Sequence, residues 1–469
     1  MCDSLRIVDI AEVLKRLEEL EAENRLLKEK LALAERRIAE LEQMGTRQAA
    51  PFRREPRRLV DPGQKKKPGR KPGHEGFFRQ TPPQIDEEVN VPLKRCPRCG
   101  GALSSVTVLE QIIEEVEPMR PKVYRLRTRR GVCACGCGEV RSSHPLQRAL
   151  QQSLAGGCAK VQLGPRAVAM AVVLNKALGM TVRKTLAALE LLCGLRLTAG
   201  GLSQLTQRAA SRLKGNYDAL LADLRAASVV HADETSWHVG EHLGKQPDGT
   251  VKSGTGQWLW TFTTPTTTLY TVGKRASETI CQILGSAFKG VLVSDCLASY
   301  DPIDCRKHKC IAHHLRAIKS ALVLSPHSKG LKRWQAFFKS VTQLWNQRAS
   351  RQISGVAFAR EHRKLLLERD QLLKKVPVDA PEKRIRNRLI KHTPHLLRCL
   401  DDPKVEPTNN RAERALRPAV IARKLSCGNK TDRGKKAFEI LTSLAVTASQ
   451  RGQDFVEILR TTLPIAARG

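Results

Sequence analysis

The stretch His231-Ala232-Asp233-Glu234-Thr235-Ser236-Trp237 decides how this chain is read. A small β-prone run, Ala226-Ala227-Ser228-Val229-Val230, leads into it. Beyond it, Trp258, Leu259, Trp260 and Phe262, then Tyr270 and Val272, predict two more strands between Gln257 and Val272. Asp233 therefore falls on or just past a buried strand, where a carboxylate needs a partner or a metal. Gly290-Val291-Leu292-Val293-Ser294-Asp295 is a second β-branched run ending in an aspartate. A third acid, Glu413, lies in Asn409-Asn410-Arg411-Ala412-Glu413-Arg414, where Asn409 or Asn410 is suited to N-cap a helix. Strand alternation turns Glu234 to the opposite face from Asp233, which gives it a structural role. Two aspartates at strand ends and a glutamate on a late helix suit a two-metal site. Hard cations such as Mg²⁺ or Mn²⁺ take carboxylate oxygens converging from different elements.

Composition narrows the class. The chain has 469 residues, enough for two to four domains, and 81 Lys plus Arg against 46 Asp plus Glu gives a net charge of +35. Such an excess calls for an anionic partner, and nucleic acid is the natural one. The 14 cysteines are scattered in a long chain with no signal peptide, which points to reduced thiols and a metal site rather than disulfides. No apolar run approaches the roughly 20 residues that span a bilayer. The expectation is a cytoplasmic, nucleoid-associated protein with no membrane partner.

Outward from the core, the order is a series of distinct segments. Ile10, Leu17, Asn24, Leu31 and Ile38 fall on heptad a, and Val13, Leu20, Leu27, Ala34 and Leu41 on d. Residues 1–44 are thus expected to form a coiled coil and a homodimer, with Asn24 fixing a parallel register. Residues 45–88 form a basic linker. Its Lys65, Lys66, Lys67, Arg70 and Lys71 sit in a Pro/Gly-rich run suited to DNA, as a minor-groove hook or a solvated tether. Residues 89–145 hold Cys96-Pro97-Arg98-Cys99-Gly100, then Cys133, Cys135 and Cys137. Cys-x-x-Cys suits Zn²⁺, with Cys133 and Cys137 as the second pair and Cys135 as the alternative to Cys133. Val106 to Val116 and Val123 to Thr128 read as strands between the knuckles. Residues 160–222 read as three helices broken near Gly179 to Thr181 and Gly194 to Gly201, an outline shared by a helix-turn-helix and a plain helical scaffold.

Residues 226–314 predict the first part of an α/β core: strands, a helix over Ser277 to Phe288, a strand to Asp295 and a strand near His308 to Ile311. Residues 315–400 read as helix, with Trp334, Phe337, Phe338, Leu344 and Trp345 as the apolar core of an insertion. Residues 401–469 return to the core with two helices, Asn409 to Ala422 and Lys435 to Ser449. Arg417, four positions after Glu413, should share its helix face and can hold a phosphate. His231 and His313 are candidates to line the same site.

These residues resemble a family. His231-Ala-Asp-Glu-Thr235, Ser294-Asp295 with Tyr300, Cys310-Ile-Ala-His313 with Leu315-Arg316, and Asn409-Asn-Arg-Ala-Glu-Arg-Ala-Leu-Arg417-Pro418 with Arg423-Lys424 are similar to a DDE transposase of the insertion sequence 66 family, its large subunit. Two departures stand out. Leu425-Ser426-Cys427-Gly428 replaces the family's aromatic after Arg-Lys, and the second cysteine pair lacks Cys-x-x-Cys spacing. The resemblance implies a multidomain α+β chain whose RNase-H-like α/β catalytic core carries a helical insertion. A coiled coil, a zinc-binding domain and an HTH-like helical domain would precede that core. Asp233, Asp295 and Glu413 would hold Mg²⁺ or Mn²⁺, and Arg414, Arg417, Arg423 and Lys424 would contact DNA. Element ends and target DNA would be partners, together with small accessory proteins of the same element. Two rivals remain: a DNA-binding protein with an inactive nuclease core, and an RNase-H-like nuclease that does not join strands. Metal-dependent cleavage separates the first rival, and joining of the cut 3′ end separates the second.

Overall fold

The computed structural model describes residues 10–46, 82–104, 107–114, 119–127, 129–142, 163–240 and 256–463. The basic run with Lys65, Lys66, Lys67, Arg70 and Lys71 lies outside the described residues. Helix α1 (Ile10–Thr46) spans 37 residues. Its Leu17, Leu20, Leu27 and Leu31 are 51%, 50%, 57% and 60% exposed, so these four heptad leucines are at least half uncovered. No described helix is long and apolar enough to cross a membrane.

The cysteine region departs from expectation. Residues 107–114 and 119–127 form no strand. Val108, Leu109 and Val123 are more than 80% exposed, and a strand with no covered face and no partner has nothing to hold it. The hairpin forms later, from β1 (Arg130–Val132) and β2 (Glu139–Arg141), paired antiparallel around the Cys133 to Gly138 turn. Cys133 N donates to Gly138 O at 3.0 Å, closing that turn.

Four helices follow: α2 (Pro165–Val172), continued by a π turn to Ala177, α3 (Val182–Cys193), α4 (Ala199–Arg212) and α5 (Lys214–Ala226). Their ends follow from local chemistry. Pro165 sits at the first turn of α2, where a missing N–H costs nothing. Thr181 and Thr198 cap α3 and α4 through Lys184 N and Gly201 N. Gly194 adopts φ 64° and stops α3.

The sheet comprises β3 (Val229–Trp237), β4 (Gln257–Thr263), β5 (Thr268–Gly273), β6 (Val291–Ser294) and β7 (Arg306–Lys309), with α6 (Ser277–Leu284) between β5 and β6. The order is β5-β4-β3-β6-β7, antiparallel on the β4–β5 side and parallel from β3 through β6 to β7. The fold is thus α+β with a mixed sheet. Alternation on β3 sorts its two faces. Val230 and Ala232 pack with Leu220, Leu224, Ile280 and Phe288, whereas Trp237 packs with Leu416, Ala419 and Val420 on the other side.

After β7 come α7 (Ile311–Leu324), α8 (Lys329–Ala349), α9 (Gly355–Lys374), α10 (Ala380–Lys391) and the short α11 (Arg398–Asp401). Trp334, Phe337, Phe338 and Leu344 of α8 are buried in one core with Val291 and Val293 of β6, and Trp345 packs against it. The aromatic stripe is core, and truncating Phe337 to alanine should cost about 3–5 kcal/mol. The chain closes with α12 (Asn410–Ser426), α13 (Asp432–Gln450) and α14 (Phe455–Thr462), one helix more than the sequence predicted. Val168, Val172, Leu189, Leu202 and Leu205 of the early helices share a core with Leu441, Phe455 and Leu459 of these last ones.

Candidate active site

Parallel pairing sets the two aspartates side by side. β3 and β6 pair Val229 with Val291, Val230 with Leu292 and His231 with Val293. Carried on by two residues, this register places Asp233 opposite Asp295, on the same face of the sheet. Asp295 lies one residue past β6 and accepts from Leu297 N at 2.9 Å, which turns the chain sharply away from the sheet.

Glu413 reaches the same face because α12 is strapped along β3. At its start, Asn409 occupies the N-cap position but makes no side-chain cap bond. Its amide instead donates to Ala232 O at 2.7 Å, and its oxygen lies 3.3 Å from His231 Nδ1. The cap function expected of Asn409 is displaced by this bridge, because two buried groups of β3 need a partner more than the exposed helix end does. Pro407 O accepts from Ile311 N at 3.0 Å, and Asn409 N donates to Cys310 Sγ at 3.1 Å, tying the lead-in of α12 to the start of α7. Further along, Arg423 Nη1 donates to Thr235 Oγ1, Ser236 O and Ser236 Oγ at 2.9, 2.6 and 2.7 Å. Past the end, Trp237 Nε1 donates to Asn429 Oδ1 at 2.8 Å.

The segment that departs from the family pattern makes this ending. Cys427 takes φ 60° and Gly428 φ 112°, and Gly428 passes so close to the His238 carbonyl that a Cβ would not fit. Chain reversal there returns Asn429 to the end of β3.

Asp233 pairs with no cation among the described residues; its recorded bond is the one its Oδ1 accepts from Glu234 N at 3.0 Å. Burial, then Glu234, Asp295 and Glu413, push its carboxyl well above the ordinary carboxylate range. Asp295 and Glu413 therefore both stand close enough to Asp233 to act on its charge. Such a carboxylate fits a cation brought from outside, since a buried negative charge is costly unless compensated. Glu413 is instead bonded to Arg316 of α7, Nη2 to Oε1, at 2.9 Å. The three carboxylates do not all lie within 4.8 Å of one another. Among the described residues, Cys133, Cys135 and Cys137 are the candidate ligands that do.

Glu234 lies on the other face, as alternation predicts. Its side chain is 3% exposed and accepts from Arg275 at 2.8 Å and from the Tyr300 hydroxyl at 3.0 Å. Burial and Asp295 raise its carboxyl above the usual range, and Arg275 and Tyr300 oppose them. His313 stands by the acids. Burial and Arg316 push its ring below the ordinary histidine value, while Asp295 and Glu413 act in the opposite sense. Its Nδ1 is buried and unpartnered among the described residues.

Of the predicted cations, Arg414, Arg417 and Lys424 are exposed on α12, whereas Arg423 is committed to β3. The cysteines form a cluster compatible with zinc. Cys133, Cys135 and Cys137 converge, with Cys133 and Cys135 sulfurs 2.9 Å apart, and Cys96 and Cys99 are not in the group. Gly136 and Gly138, at φ 80° and 105°, bend the turn so tightly that alternate cysteines face one another. Sequence reasoning gave no role to Arg316, Arg275 or the bridging amide of Asn409. For Arg316, its position three residues after His313 on one helix face was the available signal.

A sequence model of the transposase IS66 family matches residues 160–437, more than half of the chain. This chain belongs to the IS66 family of transposases. It is also similar to the uncharacterized protein y4jD of Sinorhizobium fredii, 23% identical over 406 residues that cover 81% of this chain and 76% of that protein.

Proposed function

We propose that this protein is the large DDE subunit of an insertion sequence, which binds the element's ends and carries out metal-dependent strand cleavage and strand transfer. The observation that carries the reading is Asp233, a largely buried carboxylate with no counter-cation among the described residues, whose ionisation Asp295 and Glu413 both oppose. Strand order β5-β4-β3-β6-β7, with the acids on one face, supports an RNase-H-like core interrupted by the helices of residues 315–400. Asp233, Asp295 and Glu413 would hold Mg²⁺ or Mn²⁺, and these ions, when bound, lower the pKa of an attacking water or 3′-hydroxyl and stabilise the leaving oxygen. The chain's own part is to orient. The first turn of α12 presents Glu413, while the helix's exposed Arg414, Arg417 and Lys424 would meet phosphates. Arg423 serves as a strut between α12 and β3. Residues 1–44 would dimerise the protein, residues 45–88 would attract DNA through Lys65 to Lys71, and residues 89–145 would carry a structural zinc. Residues 160–222 would add DNA contacts, and small proteins of the same element would assist.

The test is cleavage and joining of a labelled element end by purified protein in Mg²⁺ or Mn²⁺, with DNA binding measured alongside. Asp233→Asn, Asp295→Asn and Glu413→Gln should each abolish cleavage and leave binding close to normal, because removing negative charge does not repel phosphate. Their effects should be non-additive. Wild-type cleavage by one variant would remove that residue from the site, and undiminished cleavage in chelator would remove the metal mechanism.

A further inference from the structure

Arg316 holds the third acid, Glu413. Its Nη2 lies 2.9 Å from Glu413 Oε1, and the Arg316 side chain is 53% exposed where that of Glu413 is 19% exposed. Nη2 is the one Arg316 nitrogen with a recorded bond among the described residues, so the contact is a single bond rather than a bidentate clamp. A half-exposed single-bond pair of this kind is weak and readily exchanged. The same guanidinium acts on His313, beside Asp295 and Glu413, so it borders the acid cluster itself. While Arg316 bonds Glu413, one carboxylate oxygen is engaged, and the unit positive charge beside it repels a cation shared with Asp233.

We propose that Arg316 is an exchangeable counter-charge. It neutralises Glu413 when no DNA is bound, and it swings to a DNA phosphate at the acid cluster when DNA arrives, freeing Glu413 to turn toward Asp233 and Asp295. A DNA phosphate is the fitting replacement partner, since guanidinium donors match phosphate oxygens and the chain carries a net charge of +35. The exchange makes cation binding and DNA binding mutually reinforcing, because each removes the obstacle to the other. The proposal rests on the metal-site reading above.

The test measures Mn²⁺ binding to the full-length, zinc-loaded, DNA-free protein by the electron paramagnetic resonance signal of free Mn²⁺, with Asp233→Asn subtracting sites elsewhere on the chain. Arg316→Gln is expected to bind Mn²⁺ on the order of tenfold more tightly than wild type. It should also lower the salt slope of binding to a duplex oligonucleotide by about one ion, and cleave less at saturating Mn²⁺. Arg316→Lys, which keeps the charge, should retain the wild-type Mn²⁺ affinity. In a Glu413→Gln background, Arg316→Gln should no longer tighten Mn²⁺ binding. Unchanged or weaker Mn²⁺ binding by Arg316→Gln, in a protein whose wild type binds Mn²⁺ through Asp233, would overturn the exchange and leave the metal site standing. An unchanged salt slope would overturn the phosphate contact. Absence of Asp233-dependent Mn²⁺ binding in every form would overturn the metal site, and the exchange with it.

Discussion

The Tyr300 hydroxyl donates to Glu234 Oε2 at 3.0 Å. That bond fastens the turn following Asp295 to the strand that carries Asp233, from the side of the sheet opposite the acids. Arg275 completes the fastening: its guanidinium bonds Glu234 at 2.8 Å and lies 3.9 Å from the centre of the Trp258 ring. The two aspartates are therefore braced by the side chain of a buried acid on the opposite face of the sheet.

Two substitutions at Glu234 should behave differently. Glu234→Ala strands the Tyr300 hydroxyl, on a residue with no exposed surface, and should cost roughly 1–3 kcal/mol in urea unfolding. Glu234→Gln keeps an acceptor and relieves the charge that opposes ionisation of Asp233, so its cost should stay below about 1 kcal/mol. Wild-type stability in the alanine variant would show that the fastening holds nothing.

Asn409→Ala removes a bridge between buried groups. It leaves Ala232 O and His231 Nδ1 without their partner on α12, and Asn409 itself has no exposed surface. The expected loss is about 2–3 kcal/mol, with a parallel fall in any activity that depends on Glu413. Asn410→Ala, one residue on and exposed, should change stability by less than about 0.5 kcal/mol. Equal effects of the two would return Asn409 to an ordinary cap.

Zinc content discriminates between the two cysteine sets. About one Zn²⁺ per chain is expected, with Cys135→Ser and Cys137→Ser each lowering it in elemental analysis. Full zinc retention by Cys135→Ser would exclude it from the site and leave Cys96, Cys99, Cys133 and Cys137 as the ligands.

Acid should unfold this protein early. Burial pushes the rings of His308 and His392 down to about 4 from 6.5. A depressed histidine contributes stability that is present above the unfolded pKa and lost as pH falls through the folded one. Each such shift corresponds to roughly 3 kcal/mol. Glu439 acts the other way. Burial raises it to about 7 from 4.5, so its contribution is lost as pH rises across that window. Burial lowers His231 and His395 to about 4 as well, so four depressed rings stand against three raised carboxyls, Glu439, Asp233 and Glu234, and the melting temperature should fall between pH 6.5 and pH 4.5. A flat profile there would contradict the assignment, and His308→Gln should flatten the wild-type one.

What the sequence disclosed follows from what its patterns encode. Alternation and β-branching located β3, β4, β5 and β6, and the same alternation assigned Asp233 and Glu234 to opposite faces. Threonine caps and Gly194 located the helix breaks between Val182 and Arg212, because those signals act within a few residues. The pairing of early helices with Leu441 and Phe455 was invisible, since an apolar face does not name its partner. The apolar run around Val108 and Leu109 looked like strand for the same reason: propensity was present, and a covering surface was not. Arg316, Arg275 and the Asn409 amide acquire their roles through contacts spanning 97, 41 and 177 residues, which no local window contains.

The shared core of the early and late helices bears on synthesis at the ribosome. When Val168 to Leu213 have emerged, their apolar face has no cover until Ala437 to Leu463 follow. The same late segment begins just after α12, which brings Glu413. A nascent chain that has made both aspartates thus still lacks the third acid and part of one core, and long-range closure of that kind is slow. The acid cluster can be assembled only at about the moment the fold is sealed, so an unfinished chain lacks the site proposed above.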